Sequence, residues 1–306
     1  MKKNDGKLTE YCMVCPRKCH VNRQAGERGF CGCDDKLYLA RAALHFWEEP
    51  CISGTTGSGA VFFSGCNLRC VYCQNHNISR MKTAKEISID RLVEIFFELE
   101  KQGAVNINLI TGSHYIPQIS TAVELAKNKG FTLPFVFNCG GYESVAALKR
   151  LDGLIDVYLP DFKYYDFALG QKYSNVSDYP EVCKDAIAEM FRQVGKNRFD
   201  DEGLMKKGVL IRHLVLPGCE EDSKRIIEYL HRTYSDKIYM SIMSQYTPLE
   251  NVIDKRRFPE LLSKVERSVY DELVDYAIEI GVENAFIQEE DVATESFIPE
   301  FDYKGL

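Results

Sequence analysis

From residue 60 onward, short apolar runs alternate with longer segments whose apolar residues recur every three or four positions, the pattern of strands and amphipathic helices in turn. Ala60 to Ser64 reads as a buried strand ending at Gly65. A helix follows, with Ser88 as N-cap, Ile89, Leu92, Val93, Phe96 and Leu99 on one face, and Gly103 as the stop. The alternation predicts further strands at 106–111, 134–138, 155–159, 209–216 and 238–243. Between and after them it predicts helices at 119–129, 143–150, 180–194, 223–234 and 268–280.

Strands separated by helices of this length imply right-handed parallel crossovers, so the fold class is α/β. About six such units give an open or partial (β/α)6 barrel, whose chemistry belongs at the strand C-termini. Residues 1–50 show little periodicity and much Cys, Arg and Gly, so they read as a metal-held appendage to a barrel spanning 51–306. Cys51 to Gly59 reads as the connection between the two.

Composition narrows the picture. The balance of 45% hydrophobic and 27% charged residues is that of a soluble globular protein, and the net charge of -7 disfavours nucleic acid as a partner. No run approaches the ~18 apolar residues of a membrane span, and no apolar leader follows the charged start, so the expected address is the cytoplasm. In a reducing compartment clustered thiols bind metal, and nine of the 12 cysteines fall in the first 73 residues.

The segment FFSGCNLRCVYCQN places Cys66, Cys70 and Cys73 in one loop at the end of the first strand. Three thiolates and no fourth leave one iron of a cubane open to a ligand, the logic that separates open catalytic metal sites from closed structural ones. A zinc clamp is the bland alternative. Farther upstream, Cys12, Cys15, Cys19 and Cys31 can close a four-thiolate site of zinc or of a second iron-sulfur cluster, with Cys33 as an alternative fourth ligand.

At the other strand ends stand Thr111, Gly112 and Ser113, which suit either ligand contact or a plain turn with an N-cap. Asn138 could meet a ligand or cap a turn before Gly140. Asp161 and Lys163, two apart, share one face of an extended segment, as either a functional pair or a surface ion pair. Arg212 and His213 are adjacent on one strand, so at most one faces the barrel interior. Gln245, Tyr246, Gln288 and Glu289 are weaker candidates of the same kind, while Met240 and Met243 read as core.

The cysteine loop resembles the signature of the radical S-adenosylmethionine (SAM) superfamily, C-x3-C-x-aromatic-C, with Tyr72 at the aromatic position. The resemblance implies a [4Fe-4S] cluster whose open iron chelates SAM, reductive cleavage to a 5'-deoxyadenosyl radical, and an electron donor such as flavodoxin or ferredoxin. It places Thr111, Gly112 and Ser113 where the superfamily usually binds the SAM amino group through a Gly-Gly-Glu type segment, here lacking its glutamate. Asp161-Phe162-Lys163 resembles the D-x-K segment of glycyl-radical activating enzymes, which lies beside SAM and the substrate peptide. CMVCPRKCHVNRQAGERGFCG and ALHFWEEPCISG resemble a pyruvate formate-lyase activating enzyme-like branch. A glycyl-radical enzyme is thus the partner protein that this resemblance implies; another peptide, protein or small molecule is the alternative substrate, and a non-catalytic iron-sulfur or zinc protein the alternative class.

Overall fold

The computed structural model describes residues 11–288 and 299–306. In chain order its elements are β1 (Leu37–His45), α1 (Pro50–Ser53), β2 (Ser58–Phe63), α2 (His76–Ser79), β3 (Lys85–Ile87), α3 (Ile89–Lys101), β4 (Ile107–Ile110), α4 (Ile116–Asn128), β5 (Phe135–Cys139) and α5 (Val145–Leu148). They continue as β6 (Val157–Pro160), α6 (Phe167–Ser174), α7 (Tyr179–Val194), β7 (Arg198–Phe199), β8 (Met205–Leu214), α8 (Glu220–Tyr234), β9 (Tyr239–Met243), α9 (Arg267–Glu279) and β10 (Ala285–Phe286).

The sheet runs β3, β1, β2, β4, β5, β6, β8, β9, β10, with the small β7 against β8. From β2 to β10 every neighbouring pair is parallel. The six strands expected from the apolar runs are all present, in the expected sequential order. Because β3 and β10 are the two ends of the sheet, the barrel is open. The helices bury their apolar faces against it: in α3, Leu92, Val93, Ile95, Phe96 and Leu99 are buried, and Ser88 caps the helix by accepting from Arg91 N. Full burial of a side chain such as Phe96 is worth about 2 kcal/mol. Among the described residues, no helix is long and apolar enough to cross a membrane.

Two expectations differ from the structure, and one helix was not expected. The boundary at residue 50 falls after β1, which pairs antiparallel with β2 from Leu39 opposite Phe63 to His45 opposite Ser58, so the sheet begins inside the segment read as an appendage. Arg41 interrupts that strand's apolar pattern, and its guanidinium turns out to Asp302. The helix expected at 143–150 is a single turn, because Ser144 is its N-cap, accepting from Ala147 N, and a 3-10 turn follows at Lys149–Leu151. Helix α6 had no clear signal: it is only eight residues and contains Gly170, where a Cβ would sit 2.5 Å from the Val176 carbonyl oxygen.

Candidate active site at the strand ends

Strand β2 delivers its loop through Gly65, whose φ of +90° and whose closeness to neighbours both require glycine: a Cβ there would lie 2.5 Å from Cys33 Sγ and 2.8 Å from the Cys31 carbonyl oxygen. The loop is anchored by Val71 N donating to Tyr173 O (2.9 Å) and Asn67 Nδ2 donating to Tyr142 O (2.7 Å). Cys66, Cys70 and Cys73 all line one cavity of about 270 Å³ at the C-terminal ends of the parallel strands. Leu68 N donates to Cys66 Sγ (3.4 Å) and Ser174 Oγ to Cys70 Sγ (3.0 Å). Buried Tyr72 joins this set through its hydroxyl, 2.7 Å from Tyr164 Oη, which is in turn 2.8 Å from Ser174 Oγ.

These residues fit an iron-sulfur cluster. Burial, and then the neighbouring Cys70 thiolate, push the Cys66 thiol up to about 12, and burial raises Cys73 as well. Such thiols ionise against bound metal rather than against water. Among the described residues no three Cys, His, Asp or Glu side chains converge tightly enough to hold a single ion. Three thiols on the wall of one cavity are the donor set of a cluster that leaves one iron open.

Across the cavity stands a charged floor. Asp161 accepts from Lys163 Nζ (2.6 Å) and from Arg212 Nε (3.0 Å), so the residues two apart do share a face. Arg212 also donates to Glu48 Oε2 (3.0 Å) and Asn138 Oδ1 (2.6 Å), while Asn138 Nδ2 and Asn108 Nδ2 both donate to Glu48 Oε1. Burial by itself would raise Asp161, but the Lys163 and Arg212 charges outweigh it and hold the carboxyl below its usual range. Burial likewise opposes the Lys163 ammonium, yet Asp161, Tyr72 and Cys70 carry it well above its ordinary value. Glu48 is raised by burial against the pull of Arg212.

Arg212 therefore faces the interior, with protein carboxylates as its partners. Adjacent His213 points away: Nδ1 meets Phe162 O (2.7 Å) and Nε2 meets Ser223 Oγ (2.8 Å), so it is a satisfied core residue outside the cavity, and burial lowers its pKa to about 4. Thr111 lines the cavity with φ +62°, a left-handed conformation that is costly for a β-branched residue. Gly112 serves packing, since a Cβ there would lie 2.4 Å from Ile119 Cδ1. Ser113 lines the cavity and donates to Glu143 Oε1 (2.6 Å). Gln245 and Met243 line the cavity, so Met243 is not purely core, whereas Met240 is buried in it. Tyr246 is buried and donates to Leu261 O, and Gln288 accepts from Ser244 N. Glu289 lies outside the described residues.

Sequence reasoning missed Glu48, Glu49 and Glu143. Two adjacent carboxylates inside the otherwise apolar ALHFWEEPCI were the available signal for the first pair. Glu143 is buried at 1% exposure with Oε2 unpartnered, and burial pushes its carboxyl up to about 7.

The N-terminal cysteines gather separately. Cys15 is within electrostatic reach of Cys31, Cys12 and Cys19, and Cys19 Sγ and Cys31 Sγ both lie beside Gly29, 2.9 and 3.6 Å from where a Cβ on it would stand. Cys33 stands beside Cys31, its thiol reaching the Cys31 carbonyl oxygen (3.7 Å), and also accepts from Tyr115 Oη at 3.1 Å.

Comparison with known proteins agrees with this geometry. The Radical SAM superfamily profile matches residues 60–230, more than half of the chain, which belongs to that superfamily. Membership implies a [4Fe-4S] cluster and SAM. Uncharacterized protein MJ0674 of Methanocaldococcus jannaschii is 30% identical over 254 residues, covering 78% of this chain and 66% of that protein. Uncharacterized protein MJ0808 of the same organism is 26% identical over 209 residues, covering 61% and 55%. The chain thus spans about two thirds or less of the length of these relatives. Among solved structures, Streptococcus suis SuiB bound to precursor peptide SuiA aligns with a TM-score of 0.49 at 12% identity, covering 73% of this chain and 46% of that one. The FeFe-hydrogenase maturase HydG from Carboxydothermus hydrogenoformans aligns at 0.46 and 14%, covering 79% and 60%.

Proposed function

We propose that this protein cleaves SAM reductively at a cluster held by Cys66, Cys70 and Cys73, and directs the resulting radical to a glycine of a partner protein. The observation that carries this reading is that the three thiols and the Asp161-Lys163 pair open onto the same cavity. When bound, the cluster and SAM supply a 5'-deoxyadenosyl radical, which takes one hydrogen atom from the substrate.

The chain's own residues bind, orient and shield. Lys163 and Asp161, fixed to each other and to Arg212, offer one donor-rich and one acceptor-rich group to a target backbone without either needing to reorganise. Thr111 and Ser113 offer hydroxyls to SAM on the β4 side, and Asn138 and Arg212 bound the cavity floor. Tyr72, Met243 and Leu214 wall the cavity with apolar surface and exclude water from a reactive intermediate. The reaction belongs in the cytoplasm, with flavodoxin or ferredoxin as the electron source.

The test is anaerobic incubation of reduced protein and SAM with a candidate partner carrying deuterated glycine. Deuterium in 5'-deoxyadenosine supports the reading. SAM cleavage with deuterium arriving only from another peptide or a small molecule replaces the substrate but keeps the chemistry; no cleavage under strong reductant removes the whole proposal.

A further inference from the structure

Helix α6 is the element that no sequence pattern announced, and its C-terminal end closes on the cysteine loop. Tyr173 O accepts from Val71 N (2.9 Å). Arg17, its guanidinium 3.8 Å from the centre of the Phe30 ring, donates to Ser174 O (2.9 Å), Asn175 O (2.8 Å) and Asn67 O (2.8 Å). These contacts fix the end of α6 against the loop, and with it the approach of Ser174 Oγ to Cys70 Sγ, 3.0 Å. Ser174 is 2% exposed and Cys70 7%, so water does not compete for the contact.

The chain of hydroxyls continues beyond Ser174. Tyr164 Oη lies 2.8 Å from Ser174 Oγ and 2.7 Å from Tyr72 Oη. Each of the three hydroxyls has one hydrogen to give. A ligating cysteine is a thiolate and can only accept, so the hydrogen between Ser174 and Cys70 is the one Ser174 carries. Tyr164 must then donate to Ser174, and Tyr72 to Tyr164, which leaves all three O–H bonds pointing toward the sulfur. Such a chain polarises along its length, each donation strengthening the next. Ring packing holds it in place: Tyr72 meets Tyr173 and Tyr246 edge-on, with centroids 6.1 and 6.2 Å apart, and Tyr164 meets Tyr179 at 5.2 Å.

We propose that Ser174, aligned by Tyr164 and Tyr72, is a positioning residue that raises the reduction potential of the cluster by donating to its Cys70 ligand; the cluster itself rests on the function proposed above. A reduced cluster carries one more negative charge, part of it on its sulfurs. A hydrogen bond to a ligating sulfur therefore favours the reduced form over the oxidised one. A flavodoxin or ferredoxin of given potential then fills a larger fraction of the clusters with the one electron that cleavage of the sulfonium C-S bond consumes, and is itself oxidised by one electron.

The experiment is an anaerobic redox titration of the reconstituted full chain, followed by the electron paramagnetic resonance of the reduced cluster, with iron and sulfide counted in each variant. At the wild-type midpoint, Ser174→Ala should show a reduced-to-oxidised ratio about tenfold lower, about 59 mV for one electron, with about four irons retained. Ser174→Thr keeps the hydroxyl and should restore most of the loss. Tyr164→Phe keeps Ser174 but ends its alignment, and should lower the ratio about twofold. Tyr173→Phe is the control: its ring is as buried and packs on both Tyr72 and Tyr164, but its hydroxyl donates to Glu260 (2.7 Å), so the potential should stay at the wild-type value. A wild-type potential in Ser174→Ala, or equal shifts in Tyr164→Phe and Tyr173→Phe, overturns the proposal. If Ser174→Ala fails to hold iron, Tyr164→Phe decides, and an unmoved potential there overturns it. A cluster whose potential ignores Ser174 leaves the proposed reaction standing, whereas a wild type without iron at Cys70 strikes both.

Discussion

Glu48 Oε2 and Arg212 Nη1 meet at 3.0 Å across 164 residues of chain, joining the segment before α1 to β8 through the barrel floor. The Glu48 side chain is 8% exposed and that of Arg212 17%, so the pair is largely withdrawn from water. Removing one partner of a buried ion pair costs more than the pair contributes, because the remaining charge is left without compensation. Asp161 and Asn138 would still hold Arg212, which sets the expectation for Glu48→Ala at the lower end, about 3 kcal/mol. Urea unfolding checks it; a loss below about 1 kcal/mol would mean that the contact is not a structural brace.

The cysteines should separate by role. Under the proposed function Cys70→Ala removes a cluster ligand and should abolish SAM cleavage with loss of iron. Cys51→Ala is the contrast, since that thiol is packed among Ile52, Val136 and Leu159 in the barrel interior, away from the loop. It should cost about 1 kcal/mol and leave iron content as in the wild type. Equal iron loss in both variants would contradict the assignment.

Glu143 makes stability depend on pH in an unusual direction. Its carboxyl is raised from 4.5 to about 7 by burial, so between these values the folded chain holds a proton that the unfolded chain has released. The contribution is complete below about pH 4.5 and is lost as pH rises through about 7, amounting to about 3 kcal/mol. Glu143→Gln should flatten this part of the unfolding free energy against pH while keeping an acceptor for Ser113 Oγ. A profile of unchanged slope in the variant would show that another group is responsible.

Thr111 holds a strained backbone at the cavity wall, φ +62°. Thr111→Gly relieves the strain and should raise stability by about 1 kcal/mol. If the hydroxyl contacts SAM, affinity falls at the same time, which isothermal titration under anaerobic conditions would read. Higher stability with unaltered SAM affinity would restrict Thr111 to a turn-forming role.

Much of the architecture was legible because strand and helix periods are local properties. Ser88 caps α3 as its type and position suggest, and the six parallel strands follow from six apolar runs. Strand β1 escaped because Arg41 breaks its pattern, and α6 because a short segment containing Gly170 has little intrinsic helicity. The carboxylates were the larger omission. Glu48 and Glu143 carry no motif, and their importance comes from burial, which a residue's type makes improbable and only its surroundings reveal.

By itself the sequence determined the features encoded in short spacing: three thiols in one loop after a buried strand, and an alternation that yields parallel strands with their C-termini on one side. Tertiary structure alone decided which of the adjacent Arg212 and His213 turns into the cavity, what Arg212 binds there, and that the N-terminal cysteines press against the loop of Cys66. Periodicity is a property of neighbours in the chain. Side-chain facing and ion pairing depend on strand register and on contacts between residues far apart, and these exist only once the sheet has assembled.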